Sequence, residues 1–355
     1  MFLLFVLFAW SLAASSGCGS ASPYGAGSQA GQMISDSLNR TFRVFTPASY
    51  NVNNPVPIVF FFHGGGGTGR VAELAFGWNT VATTNNFIMV YPDGNDNVWN
   101  AGLCCGSSAL NNVKDVLFFS DLLTKLESEF CIDSTRVYVT GLSNGGMFSN
   151  RLACELSNRI TAVVTSAASL MVAGRSCTPA RPIPVAEMHS LEDLSVPWDG
   201  GRGCGPSNAV FSSVNETMSN WITANGCTCG FGKPCNSTTL VDGNGVCVQF
   251  GTCNAATVLC TLGNASGHVW PGRLSGTDPE SGCNTKDATF KANAFAWSFF
   301  SAATPLPGAP TTVPRTTTGT IGVTTISPLS TTRPSLSSVL LSSTLLIAFL
   351  VSFIY

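Results

Sequence analysis

The chain has 355 residues, of which 45% are hydrophobic and only 10% charged, with 17 basic side chains against 19 acidic ones. That near balance, with no run of either sign, argues against nucleic acid or an acidic membrane surface as a partner. With the two ends set aside, the remaining length suffices for one well-buried α/β domain or two small ones.

The first stretch, "MFLLFVLFAWSLAASSG", is an apolar run of secretory length followed by small residues, and residues 1–17 are expected to be a signal peptide. No Lys or Arg stands before the run. A bacterial lipoprotein reading of Cys18 is disfavoured because "SSGC" lacks the usual leucine three positions upstream. Fourteen cysteines, only three histidines and no zinc-finger spacing indicate disulfides formed in an oxidising compartment. If Cys18 left with the signal peptide, an odd cysteine would remain. Sequons at Asn39, Asn215, Asn236 and Asn264 fit an exported surface.

Residues 19–302 are expected to form the folded domain. Five apolar runs, "PIVFFFHGGGG", "NFIMVYPDG", "RVYVTGLSNGG", "ITAVVTSAAS" and "IPVAEMHSLED", end abruptly in Gly, His, Ser or Asp. Apolar character without alternation is what a strand covered on both faces requires, so these runs predict a parallel sheet flanked by helices. "VKDVLFFSDLLTKLESEF" carries apolar residues at helical spacing, "GGMFSNRLACELSNR" starts a helix at its glycines, and "SSVNETMSNWITANG" ends one at Gly226. This alternation is the pattern of an α/β domain. Residues 227–260, rich in Cys, Gly, Val and Thr, predict a hairpin insertion stapled by disulfides.

Residues 303–338 turn to Thr, Pro and Ser and predict an extended stalk. Residues 339–355, "VLLSSTLLIAFLVSFIY", form a terminal apolar tail with nothing polar after it. Small residues, polar spacer and apolar tail in that order suggest a GPI-anchor signal. The alternative is a single membrane span, for which a run of about 17 residues sits at the short limit.

The chemistry concentrates in Gly141-Leu142-Ser143-Asn144-Gly145, a match to G-x-S-x-G with an apolar strand leading in and a helix leading out. Such a nucleophile elbow exposes a serine Oγ at a sharp strand-to-helix turn, and the glycines allow neighbouring backbone to pass close by. The serine needs a base, and the base needs a carboxylate. His63 ends a strand and opens "HGGGGTG", the type of loop that donates an N–H to an oxyanion. His189 ends another strand and precedes the acidic residues of its own loop. His268, in "GHVWPG", remains as the candidate base, giving the chain order Ser, Asp, His found in α/β-hydrolases. For the carboxylate, Glu192, Asp193 and Asp199 all follow the strand ending at His189, and periodicity does not choose among them.

Taken together, "HGGGGTG", "VYPDG", "CCG", "GLSNGGMFSNRLACEL", "HSLEDLSVPWDGG", "NGC" and "GHVWPG" resemble the secreted α/β-hydrolase esterases grouped as polyhydroxybutyrate depolymerase-like and feruloyl esterase-like. They occur in family order across about residues 38 to 300. The resemblance implies a Ser143, Asp193, His268 triad, with Ser190-Leu191 replacing the family's usual Gly-Thr and Glu192 as the alternative carboxylate. It further implies oxyanion donors at the N–H groups of Asn144 and Gly65, with Gly64 as the fallback. No metal or organic cofactor is called for.

Trp99, Trp198 and Trp270 each sit beside a loop of this constellation and are candidates for an aromatic wall that binds substrate. Cys104 and Cys105 are expected to form structural disulfides to distant partners. Asp115 reads as a helix cap, and the CxC at Cys227 and Cys229 lacks partners for a metal site. The implied protein is a monomeric serine esterase acting on an ester-bearing polymer or oligomer and touching membrane only through its C-terminal anchor. Feruloyl or acetyl esters of plant cell walls are the first substrate class and short-chain polyhydroxyalkanoates the second. A non-catalytic polymer-binding surface protein is the reading from a different class.

Overall fold

The computed structural model describes residues 14–172, 174, 176–231, 239–263, 267–273 and 288–307. All of them belong to the compact unit Met1–Thr311. The expected stalk beyond residue 307, the C-terminal tail, Asn236 and Asn264 lie outside the described residues, as do residues 1–13 of the expected signal peptide.

The five apolar runs become β3 (Val56–Phe62), β4 (Ile88–Pro92), β5 (Ile132–Leu142), β6 (Ala162–Ser166) and β7 (Val185–Ser190). Together with β12 (Thr257–Leu262) they form the parallel centre of a ten-stranded sheet. Every residue of β3, β4, β6 and β7 is buried, which is why these segments read as unbroken apolar runs. An antiparallel hairpin, β1 (Gly27–Ser35) and β2 (Leu38–Thr46), extends the sheet at one edge beyond β4. At the other edge, β10 (Thr239–Asp242) and β11 (Gly245–Gln249) add antiparallel to β12. The disulfide-rich segment is therefore continuous with the central sheet, and Cys247 on β11 is bonded to its cross-strand partner Cys260 on β12.

Helices cover both faces. Alternate residues of β3 point to opposite sides. Ile58, Phe60 and Phe62 pack in one core with α4 (Asp115–Glu129) and α5 (Asn144–Glu155). Val59 and Phe61 pack in the other core with α1 (Gly69–Ala75), α2 (Trp78–Asn85) and α7 (Ala292–Ala302). The helix α6 (Val214–Ala224) begins with a capping box from Ser213 and Glu216, and Gly226 follows its end in the left-handed region at φ 59°. Two short segments, α3 (Gly106–Leu110) and the hairpin of β8 (Gly201–Arg202) with β9 (Val210–Phe211), complete the elements.

Two expectations change. The packed chain starts upstream of residue 19: Ala14 bridges Asp133, the Ser15 hydroxyl donates to Phe130 O at 2.6 Å, and Cys18 is bonded to Cys131. Gly17 lies so close to the Phe130 backbone that a Cβ there would overlap it. Cys104 and Cys105 do not reach distant partners; they are bonded to each other. Their loop folds back on itself, with Ala101 N donating to Cys104 O at 2.6 Å and Cys105 N to Trp99 O at 3.1 Å, so both sulfurs are buried side by side. Cys154–Cys177 and Cys227–Cys253 are two further pairs, and no cysteine is free among the described residues.

Candidate active site

Ligands of open α/β sheets bind beyond the carboxyl ends of the parallel strands, and Gly65, Ser143, Asp193 and His268 follow β3, β5, β7 and β12. Leu142 ends β5, and Ser143 follows with φ 56° and ψ −127° before α5 begins at Asn144. The left-handed φ turns the chain sharply enough for strand and helix to meet at one residue. The motif glycines have a steric cause. A Cβ on Gly145 would lie 2.1 Å from Phe62 O, and one on Gly141 would lie 2.7 Å from the Gly145 backbone.

The Ser143 N–H donates to Ser166 O at 2.9 Å, tying the elbow to the end of β6. His268 follows β12, and its Nδ1 donates to Asp193 Oδ2 at 2.8 Å. Asp193 follows β7 and is 2% exposed. Its other oxygen, Oδ1, accepts the N–H groups of Ser195 at 2.8 Å and Val196 at 2.9 Å. Burial works against the Asp193 anion, yet His268, His189 and the Val196 N–H outweigh it and hold the carboxyl below the usual carboxylate range. Among the three acidic candidates, Asp193 is the one set against His268; Asp199 is exposed and Glu192 is half-buried.

Ser143 and His268 line the same cavity, of about 370 Å³. Among the described residues, Gly65, Gly66, Val98, Cys105, Gly106, Asn144, Met147, Ser195, Val196, Phe211 and the Gly205-Pro206-Ser207 turn also line it, with no acidic or basic side chain other than the His268 imidazole. Asn144 is the first residue of α5, so its N–H is one of the donors a helix leaves unpaired. In the glycine loop, Gly66 N donates to Asn97 O and Gly67 N to Gly64 O. Gly65 lines the cavity, whereas Gly64 does not.

His63 is buried, with Nδ1 donating to Gly64 O at 2.8 Å and Nε2 accepting the Gly94 N–H at 3.0 Å. Burial lowers its pKa, so the ring is a neutral strut for the loop. His189 is also buried, 2.9 Å from both Glu187 Oε1 and Val196 O.

The expected aromatic wall is not there. Trp99 and Trp270 are completely buried, and none of the three tryptophans lines the cavity. Trp99 stacks on Phe148 and donates to His63 O at 3.0 Å, Trp270 donates to Asn293 Oδ1 at 2.8 Å, and Trp198 packs beside Val214 and Met218. The indole N–H groups of Trp99 and Trp270 are used inside the fold, to His63 O and to Asn293 on α7, which explains their position beside the motifs without an exposed face for substrate. Asp115 is buried at the first turn of α4, where it pairs with Arg40 at 2.8 Å and accepts the Asn100 N–H. It braces the loop that carries Trp99.

Sequence reasoning does not find the cavity residues Cys105, Met147, Phe211 and Gly205 to Ser207. The adjacent cysteines were the one available signal, since only a local pairing puts both sulfurs at one spot.

No protein-family model matches the chain. The chain is 30% identical over 241 residues to feruloyl esterase D of Neurospora crassa, covering 61% of this chain and 77% of that one. It is 28% identical over 234 residues to feruloyl esterase B of Piromyces equi, but spans only 41% of that protein's length. Among solved structures, an acetyl xylan esterase from Aspergillus awamori superposes with a TM-score of 0.55 at 16% identity, covering 77% of this chain and 99% of that one. The structural likeness carries the α/β-hydrolase fold, and with a relative 30% identical over 77% of its length, the chain belongs to the feruloyl esterase family of α/β-hydrolases.

Proposed function

We propose that the protein is an exported serine esterase that hydrolyses carboxylic esters of plant cell-wall polysaccharide, feruloyl or acetyl, through Ser143, His268 and Asp193. The observation that carries the reading is the 2.8 Å pair of His268 and Asp193 at the wall of the cavity that also holds Ser143. With Nδ1 of His268 held by Asp193, Nε2 is the nitrogen that takes the Ser143 proton. As the Oγ–carbon bond forms, the carbonyl oxygen becomes an anion, accepted by the N–H groups of Asn144 and Gly65. Collapse breaks the ester C–O bond, and the departing alcohol takes the proton from His268. Water then repeats the sequence, freeing the acid and restoring Ser143.

The lining supports a neutral acyl group, because among the described residues no charged side chain other than His268 lines it. Export is supported by the disulfides and by the exposure of Asn39 and Asn215, the two described sequon asparagines. In this reading the N-terminal residues expected as a signal peptide (1–17) direct export, residues 303–338 form a stalk and residues 339–355 a GPI-anchor signal or membrane span.

The test compares the secreted protein with Ser143→Ala on methyl ferulate, acetylated xylan and hydroxybutyrate oligomers. Turnover of either of the first two, lost by at least about 10⁴-fold in Ser143→Ala, is expected. Turnover of the hydroxybutyrate oligomers alone would move the substrate to polyesters, and polymer binding without turnover would make the protein a non-catalytic binder.

A further inference from the structure

His189 is one of only three histidines, it is completely buried, and no step above uses it. Its Nε2 faces the carbonyl of Val196 at 2.9 Å, and its Nδ1 faces Glu187 Oε1 at 2.9 Å. The Glu187 carboxylate also accepts the Ala168 N–H on Oε1, at 2.9 Å, and the Thr165 hydroxyl on Oε2. Without counting His189, both carboxylate oxygens already accept, Oε1 from the Ala168 N–H and Oε2 from the Thr165 hydroxyl, which is the pattern of an ionised group. A carbonyl and an ionised carboxylate can only accept, so each ring nitrogen must carry a proton. Protonated on both nitrogens, the ring would be an imidazolium.

That cation touches the triad in two ways. Val196 accepts from His189 through its carbonyl and donates through its N–H to Asp193 Oδ1, so the backbone of one residue links the position of the His189 ring to the carboxylate. The His189 Nε2 also lies 3.6 Å from Asp193 Oδ2, the oxygen that holds His268. Charges then alternate in a buried row: Glu187 negative, His189 positive, Asp193 negative, His268 next. Among the described residues the charged groups facing the ring are Glu187 and Asp193; β12 sets Thr261 opposite His189, and Trp198 stands edge-on to it.

We propose that His189, kept cationic by Glu187, is a positioning residue that fixes Asp193 through Val196 and restrains the basicity of His268. The proposal rests on the triad reading above. An Asp193 anion with no cation behind it would favour the protonated form of His268 more strongly, leaving less free base near neutral pH. The His189 charge offsets part of that field.

The experiment measures kcat and KM from mildly acidic to mildly basic pH on a small acetyl ester. It compares the wild type, His189→Gln and the double variant Glu187→Gln/His189→Gln. Gln can still donate to Val196 O but carries no charge. The single variant is expected to lower kcat about 10-fold with KM little changed. It is expected to move the acid limb to higher pH by on the order of half a unit to one unit. The double variant leaves no buried carboxylate unpaired, so it carries the test if the single variant does not fold. Its limb moves in the same direction by less, because the cation removed lies nearer to Asp193 than the anion does.

A folded variant of either kind with the wild-type midpoint, or a midpoint moved to lower pH, would overturn the proposal. Nitrogen-15 spectra of Ser143→Ala provide an independent reading, with His189 expected to stay doubly protonated to higher pH than a free imidazole. A singly protonated His189 ring at neutral pH would overturn it as well. Failure of the triad reading looks different: Ser143→Ala would stay active or the wild type would show no acid limb.

Discussion

The carbonyl of Ser166 accepts the N–H of Ser143 at 2.9 Å, while the Ser166 hydroxyl donates to Val269 O at 3.0 Å. One buried residue at the end of β6 thus holds the elbow with its backbone and the His268 loop with its side chain. Removing the hydroxyl leaves the strand intact but frees the loop next to the proposed base. Ser166→Ala should lower kcat by about 10-fold to 100-fold, since small misplacements of a reacting group cost that much. Unfolding stability should fall by only about 1 kcal/mol, the net worth of one hydrogen bond. Steady-state kinetics beside a denaturant titration separate the two effects, and equal losses in kcat/KM and stability would assign Ser166 a purely structural role.

Stability should respond to pH at both ends. Asp193 has its carboxyl lowered in the fold, so its contribution is present above the unfolded value of about 4 and is lost as pH falls through the lower folded value. For His189, burial opposes the charge, but Glu187, Asp193 and Val196 O outweigh it and raise the pKa. Its contribution is complete below the unfolded value of about 6.5 and is lost as pH rises through the higher folded one. Thermal unfolding of Ser143→Ala against pH should therefore show a loss on the alkaline side that Glu187→Gln/His189→Gln lacks. Superimposable alkaline limbs in the two proteins would count against the buried imidazolium.

How much of this was legible in the sequence follows from what each feature depends on. Strands such as Val56–Phe62 are buried on both faces, so their composition alone announces them. The elbow at Ser143 and the small residues around His268 were readable because close approach of backbone demands Gly at fixed spacing. Choosing Asp193 over Glu192 and Asp199 needed the family resemblance, because all three lie in one irregular loop. The cavity wall was not legible. Phe211 and Gly205 to Ser207 reach it through the short β8–β9 hairpin, whose course is set by loop packing that leaves no period in the sequence. The tryptophans misled for a related reason: proximity to a motif along the chain does not say which way an indole points, and Trp99 and Trp270 turn into the core.

Asn144 has a second job besides its N–H. Its side-chain Oδ1 accepts the Trp99 N–H at 2.7 Å and its Nδ2 donates to Trp99 O at 2.9 Å, clamping the loop of residues 94–106 onto the elbow. Asn144→Ala removes both bonds; Trp99 O keeps the Cys105 N–H but the buried Trp99 backbone N–H loses its acceptor, so stability should drop by about 1–3 kcal/mol. Asn144→Asp keeps the acceptor, loses the donor and adds a negative charge beside the oxyanion site. It should therefore lower kcat more than Asn144→Ala does, by about 100-fold or more relative to wild type, because charge of the same sign opposes the developing oxyanion. Measuring kcat and melting temperature for both variants checks the ordering; a less damaging Asp would place the oxyanion away from Asn144.

The Cys104–Cys105 pair reaches the cavity through Cys105, and the Cys105 N–H donates to Trp99 O, the same oxygen that Asn144 Nδ2 grips. The sulfur wall and the elbow are thus tied to one carbonyl. A bonded pair of adjacent cysteines cannot change rotamer independently, so that part of the wall is fixed before substrate arrives, whereas two alanines would leave an unfilled and adjustable surface. In Cys104→Ala/Cys105→Ala, kcat/KM for a small acetyl ester should stay within about threefold of wild type, since a short acyl group needs little of the wall. For a phenylpropenoyl ester it should fall by about 10-fold or more, corresponding to a loss of roughly 1.4 kcal/mol of transition-state binding. The measurement is a series of esters of increasing acyl size with one leaving group. A uniform loss across the series would reduce the disulfide to a brace for the fold, and an unchanged series would remove Cys105 from the acyl wall.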